Sequence, residues 1–269
     1  MIPNNRVVIL TGATEGIGRA TAFILAEAGC RLALAARRAD VLETLAQTLR
    51  DKGHSAIAIP TDMGDIDQAV ALVHKTVAQF GTVDIIINNA ALGVRDAVID
   101  LDEQESRQVM DVNYFGPIAL IQAAIPILKS NKTGGLIINI TSIVGRRAMP
   151  GIAGYCASKA ALEKMADSLR LELRPDNIRI STVYPGVTVT RFNDNSLGGS
   201  QDGRGRVEGV APERVGHAIL KTIKTERRDV FITLFDWTFV NASAAWPWLM
   251  DQLLGRYMGE NKRKSEETS

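Results

Sequence analysis

Tyr155 and Lys159 stand four residues apart in a stretch of helical periodicity, which sets a phenol and an ammonium on one helix face. A free phenol titrates near ~10 and cannot act as a base at neutral pH. A neighbouring ammonium favours the phenolate, so the pair has the makings of a general acid/base. Thr141-Ser142 ends an apolar run just upstream and brings a hydroxyl donor toward the same place. Asn113 lies inside a long helical stretch beginning near Asp102, an uncommon site for a poor helix former. Each of the four, taken singly, reads as readily as an ordinary surface residue.

A second constellation stands near the amino terminus. Thr11-Gly12-Ala13-Thr14-Glu15-Gly16-Ile17-Gly18 falls between the first apolar run and the first helical stretch. A glycine-rich turn there lets backbone approach a pyrophosphate, which the helix amino terminus stabilises. The spacing is Gly-x-x-x-Gly-x-Gly rather than the commoner Gly-x-Gly-x-x-Gly, and a plain tight turn is the alternative. The next strand ends Ala35-Ala36-Arg37-Arg38 with no acid at its tip. A carboxylate there would bind the ribose hydroxyl of NAD, whereas a guanidinium matches a 2′-phosphate, so NADP(H) is favoured. The competing reading has both arginines solvating a helix start, with Asp40 close enough to pair with one, but Asp40 reads better as that helix's cap. Asp62 suits either an adenine amino group or another cap. Asn88-Asn89-Ala90 are turn formers or backbone clamps at a strand end.

The elements that must position these groups follow from the apolar pattern. The chain has 269 residues, 46% hydrophobic and 23% charged, which fits a soluble globular protein and excludes disorder. Lys plus Arg (31) nearly balances Asp plus Glu (30), so no global field recruits nucleic acid. Two cysteines, Cys30 and Cys156, exclude a disulfide scaffold and a Cys-rich zinc site. The first apolar run, 7–10, is too short for a signal peptide, and a cytoplasmic location is expected. Short apolar runs alternate with helical stretches of roughly 12 to 20 residues, calling for right-handed βαβ crossovers. Runs at 83–87 and 135–140 are near-continuously apolar, as in a parallel sheet covered on both faces. A helix over 152–173 and strands over 178–184 and 229–234 continue the pattern. The reading is one α/β domain over 1–259, a Rossmann-type doubly wound parallel sheet. Residues 191–209, with five glycines, are expected as a mobile substrate loop. Trp237, Trp246 and Trp248 lie in an apolar segment at 230–258. That segment suits a cover over the substrate pocket or a subunit interface, with peripheral membrane contact as the alternative. Residues 260–269 read as a polar tail with little reason to order.

Taken together, these motifs resemble the short-chain dehydrogenase/reductase family. The resemblance spans residues 6 to about 190 and rests on Thr11-Gly12-x-x-x-Gly16-Ile17-Gly18, Asp62, Asn88-Asn89-Ala90, Asn113, Ser142, Tyr155-x-x-x-Lys159 and Pro185-Gly186, in the family's order. It implies Tyr155 as general acid/base and Ser142 as the group orienting the substrate oxygen. Lys159 would bind the nicotinamide ribose and lower the tyrosine pKa, and Asn113 would hold a water that relays protons. Gly12, Thr14, Glu15, Gly16, Ile17, Gly18, Arg37, Arg38, Asp62, Asn89, Thr188 and Thr190 become the expected cofactor contacts, with Tyr155 and Lys159. Ala91 replaces the family's usual glycine, and Thr188 stands at a usually aliphatic place. The implied function is NADP(H)-dependent hydride transfer between the nicotinamide and a ketone or secondary alcohol. The Trp-rich end suggests an apolar or lipid-like substrate. Reduction of a 3-oxoacyl thioester and a non-catalytic NADP-sensing protein are the alternatives. The expected partners are a small carbonyl or alcohol and further copies in a homodimer or homotetramer, without nucleic acid.

Overall fold

The computed structural model describes residues 1–199 and 208–266, with side chains through residue 256. Seven strands form one parallel sheet among the described residues. They are β1 (Val7–Thr11), β2 (Arg31–Ala36), β3 (Ala56–Pro60), β4 (Ile85–Asn88), β5 (Gly135–Ile140), β6 (Ile178–Tyr184) and β7 (Asp229–Phe231). Their spatial order is β3-β2-β1-β4-β5-β6-β7, so the sheet reverses direction of growth between β1 and β4. Ligands of doubly wound sheets bind outside the strand carboxyl ends at such a point.

The apolar runs form central strands because helices cover both faces. α1 (Gly16–Glu27), α2 (Ala39–Asp51) and α7 (Pro212–Thr225) pack Leu25, Leu42 and Ile219 against Val8, Leu10 and Leu32. α3 (Ile66–Phe80), α5 (Gly116–Ser130) and α6 (Ala153–Glu172) bring Leu72, Leu120 and Ala166 onto Ile9, Ile86 and Ile137. Alternate residues of one strand thus feed two separate cores. Asp65 starts α3 by accepting from the amides of Asp67 and Gln68, and Gly81 ends it at φ 80°.

Four expectations change. Asp40 does not cap α2: Arg38 holds the cap position without a side-chain bond, and Asp40 lies in the first turn, where its charge suits the helix dipole. The last strand stops at Phe231, because Thr233 and Asp236 form a reciprocal capping box that opens α8 (Leu234–Ala245). α9 (Pro247–Glu266) carries helical backbone through most of the expected unordered tail. Finally, residues 191–199 of the expected loop make defined contacts with the rest of the domain. Phe192–Asn195 forms a short 3₁₀ turn, the Leu197 amide donates to the Gly93 carbonyl (2.9 Å), and the Gly199 amide donates to Asp96 (3.1 Å). Gly203 and Gly205 of that stretch lie outside the described residues.

The candidate active site

A crevice of about 1650 Å³ opens along the carboxyl ends of the strands. At one end lies the glycine turn. Gly12 and Gly16 sit at φ 66° and 48°, a left-handed backbone that glycine adopts freely. A Cβ on Gly18 would stand 2.0 Å from the Gly12 carbonyl oxygen, so the turn closes only without a side chain there. Asn89 proves to be a clamp rather than a turn former. Its amide donates to the carbonyls of Thr11 (2.9 Å) and Gly12 (3.1 Å), fastening the glycine turn. Thr11, which in the sequence only flanks the glycines, completes the joint. Its hydroxyl accepts from the amides of Asn89 and Ala90, both at 3.0 Å. Ile17 also lines the crevice, and the cap position of α1, Glu15, makes no side-chain bond to the helix amides. That amino terminus therefore faces the crevice with no side-chain acceptor of its own.

The arginines separate. Arg38 pairs with Glu15 and reaches the Thr14 hydroxyl at 3.4 Å, while the second Glu15 oxygen accepts from Asn195 (3.2 Å). Arg37 is exposed on the crevice wall and makes no side-chain hydrogen bond or ion pair among the described residues. Asp62 also lines the crevice. It is no helix cap, and its carboxylate accepts from the Gly64 amide at 2.9 Å.

At the other end, Ser142, Tyr155 and Lys159 line the same crevice. Ser142 follows β5, and its hydroxyl stands near enough to the Tyr155 phenol to favour its ionised form. Lys159 is buried at 2% exposure, its Nζ donating to the Ile140 carbonyl (2.9 Å) and lying 5.8 Å from the centre of the Tyr155 ring. Burial lowers its pKa from 10.5 to about 7. Burial also holds the Tyr155 phenol above its ordinary range, with the nearby Ser142 hydroxyl pulling the other way. Phe192, unmarked in the sequence, tilts against Tyr155 with ring centres 5.4 Å apart.

Asn113 is fully buried. It occupies a π-helical turn, Asp111–Phe115, and it does not line the crevice. Its amide exchanges two 2.8 Å bonds with the Leu92 backbone and donates to Ser158 at 2.9 Å. The side chain is thereby committed to holding α6, and no donor or acceptor bond to Lys159 is made. Thr188 and Thr190 line the crevice beside the glycine turn. Thr188 bonds its own Gly186 carbonyl (3.3 Å), and the Thr190 hydroxyl accepts from the Phe192 amide (3.3 Å). A Cβ on Gly16 would meet the Thr190 methyl at 2.8 Å. The Trp-rich segment does not cover the pocket. Trp237 on α8, Trp246 between the two helices and Trp248 on α9 are exposed, and no residue beyond Glu213 lines the crevice among the described residues.

The sequence profile described as short chain dehydrogenase matches residues 6–199. The "Dehydrogenase/reductase SDR family protein 7-like" of Anopheles gambiae is 34% identical over 239 residues, covering 85% of this chain and 75% of that protein. A short chain dehydrogenase from Burkholderia cenocepacia, solved in complex with NADP, superposes with a TM-score of 0.79 at 28% identity, covering 94% and 99% of the two chains. Another from Burkholderia phymatum, in complex with NAD, gives 0.85 at 24% identity over 93% and 96%, a likeness of fold. With the profile spanning most of the sheet and the crevice built from its motifs, this chain belongs to the short-chain dehydrogenase/reductase family of oxidoreductases.

Proposed function

We propose that the protein is an NADP(H)-dependent reductase or dehydrogenase acting on a ketone or secondary alcohol of apolar character. The observation that carries this reading is the meeting of Ser142, Tyr155 and Lys159 at one end of a crevice whose other end is a glycine turn. The turn fits a dinucleotide: the first amides of α1 lack a side-chain acceptor, as a pyrophosphate would require. Arg37, without a partner among the described residues, supports NADP over NAD, since its guanidinium can meet a 2′-phosphate. A nicotinamide bound in this crevice supplies or accepts the hydride.

The chain's own groups manage the proton. Tyr155, held protonated at neutral pH, donates to the carbonyl oxygen during reduction. Ser142 hydrogen-bonds the same oxygen. Lys159, when protonated, places a positive charge beside the tyrosinate that forms. Phe192 and Tyr155 shield this end, with Leu92, Val94, Val144 and Ile152 as apolar wall. That wall, rather than the distant tryptophans, supports an apolar substrate. The test is a panel of ketones, aldehydes and 3-oxoacyl thioesters followed by NADPH and NADH absorbance. Turnover of ketones with NADPH ahead of NADH is expected. Turnover of thioesters alone would redirect the substrate, and no turnover with tight NADPH binding would favour a sensor.

A further inference from the structure

Resting on that reading, we infer that Arg146 is a positioning residue which, with Glu163, sets where Ser142 stands relative to Tyr155 and Lys159. The turn that begins at Ser142 runs through a short 3₁₀ segment, Ile143–Gly145, and ends on Arg146. It lies directly on α6. A Cβ on Gly145 would stand 3.2 Å from the Cβ of Lys159, tighter than side chains ordinarily pack. One residue later, Arg146 Nε meets Glu163 Oε1 at 2.9 Å. Glu163 lies one helical turn beyond Lys159 and two beyond Tyr155 on α6, with its carboxylate buried at 3% exposure. The turn is therefore pinned to the helix at Gly145 and again at Arg146, and Ser142 hangs from that double attachment.

Arg146 is held on its remaining sides. Its Nη2 donates to the Tyr184 hydroxyl at 2.7 Å, and that hydroxyl donates to Asp229 at 3.0 Å. The guanidinium carbon lies 4.5 Å from the centre of the Tyr184 ring, which stacks on Phe231. The clamp thus reaches from α6 across β6 to β7. A bond of this kind fixes rotation as well as distance, because a planar guanidinium with partners on two edges cannot swivel. Ser142 itself holds only weak local bonds, 3.3 Å to the Pro185 carbonyl and 3.3 Å from the Val144 amide. It needs an outside reference for its place, and Arg146 provides one.

The experiment compares Arg146→Met, Arg146→Lys, Glu163→Gln and Ser142→Ala, using NADPH and the panel carbonyl that the wild type reduces fastest. Arg146→Met and Glu163→Gln should each lower kcat about ten- to a hundredfold, as a displaced group costs. NADPH affinity should stay within about twofold, because no cofactor contact changes. Arg146→Lys should recover part of kcat through the surviving contact with Glu163. The double variant Arg146→Met/Glu163→Gln should be little worse than the poorer of its two single variants, since both act through one contact. Wild-type kcat in a folded Glu163→Gln, with Ser142→Ala impaired, would overturn the inference while leaving the functional reading intact. So would a joint fall of kcat, NADPH affinity and melting temperature. Glu163→Gln keeps shape and decides the matter should Arg146→Met not fold. Full turnover in Ser142→Ala would instead refute the reading on which the inference rests.

Discussion

Asn113 and Ser158 are joined by a buried 2.9 Å hydrogen bond that ties the π turn between α4 (Glu103–Met110) and α5 to the helix carrying Tyr155 and Lys159. Ser158 in turn donates to the Tyr155 carbonyl at 2.8 Å. The amide of Asn113 thus reaches the acid/base pair through backbone rather than by contact. Asn113→Ala strands the Leu92 amide and carbonyl, each costing about 1–3 kcal/mol if left unsatisfied, and removes the bond to Ser158. Urea unfolding should show a loss of that order. A loss below about 0.5 kcal/mol, ordinary for a surface change, would show that the joint bears no weight.

Tyr155→Phe keeps the ring that packs on Phe192 and removes the proton. Turnover should collapse on every carbonyl of the panel while NADPH binding, measured by fluorescence titration, stays close to native. Retained turnover would reject Tyr155 as the acid.

Arg37→Ala should weaken NADPH about 10- to 150-fold and leave NADH nearly unchanged, the worth of a charge-assisted hydrogen bond of about 1.5–3 kcal/mol. Arg38→Ala should do less, because Arg38 is already engaged by Glu15. Calorimetric titration of both variants with both cofactors decides it. Equal losses of NADPH and NADH in Arg37→Ala would remove that residue from the phosphate site.

Lys159 gives a pH signature. Its pKa is about 7 folded against 10.5 for the free group, so the unfolded chain binds more protons between those values. Stability therefore rises with pH across that window, and the full penalty for charging the buried amine is present at pH 7 and below. Lys159→Met removes that penalty, less the lost bond to Ile140; each tenfold change in proton affinity is worth about 1.4 kcal/mol. Its gain in melting temperature over the wild type, measured without cofactor, should be largest near pH 7 and shrink toward pH 10. A gap that does not vary with pH would mean that the amine titrates normally.

Much of this site was legible because its residues are tied to strand ends. The runs ending at Thr11, Asn88 and Ile140 fixed where Gly12, Asn89 and Ser142 must emerge, and the i, i+4 spacing fixed Tyr155 beside Lys159. What stayed hidden were partnerships between distant residues. Nothing local tells Arg38 from Arg37; the difference is Glu15, brought close by the first crossover. Asn113 stood out as a poor helix former, but its partners Leu92 and Ser158 lie 21 and 45 positions away. For the tryptophans the sequence left open a cover over the pocket, a subunit interface or a membrane contact. The capping box at Thr233 starts α8 outside the crevice, which sets aside the first.

The π turn at Asp111–Phe115 works as a phase shifter. Two α-helical stretches that would otherwise share one register are offset by an extra residue, which is a rotation of about 100°. Upstream, α4 shows Val109 to the protein interior; downstream, Gly116 passes so close to Met63 that a Cβ would lie 1.9 Å from its carbonyl oxygen. Both fits hold only while the offset is present. Removing any single residue from the turn would restore an unbroken α-helix, yet it would swing Asn113 off its partners or drive a side chain into Met63. Besides the Asn113 side chain, this segment must preserve its length to the single residue.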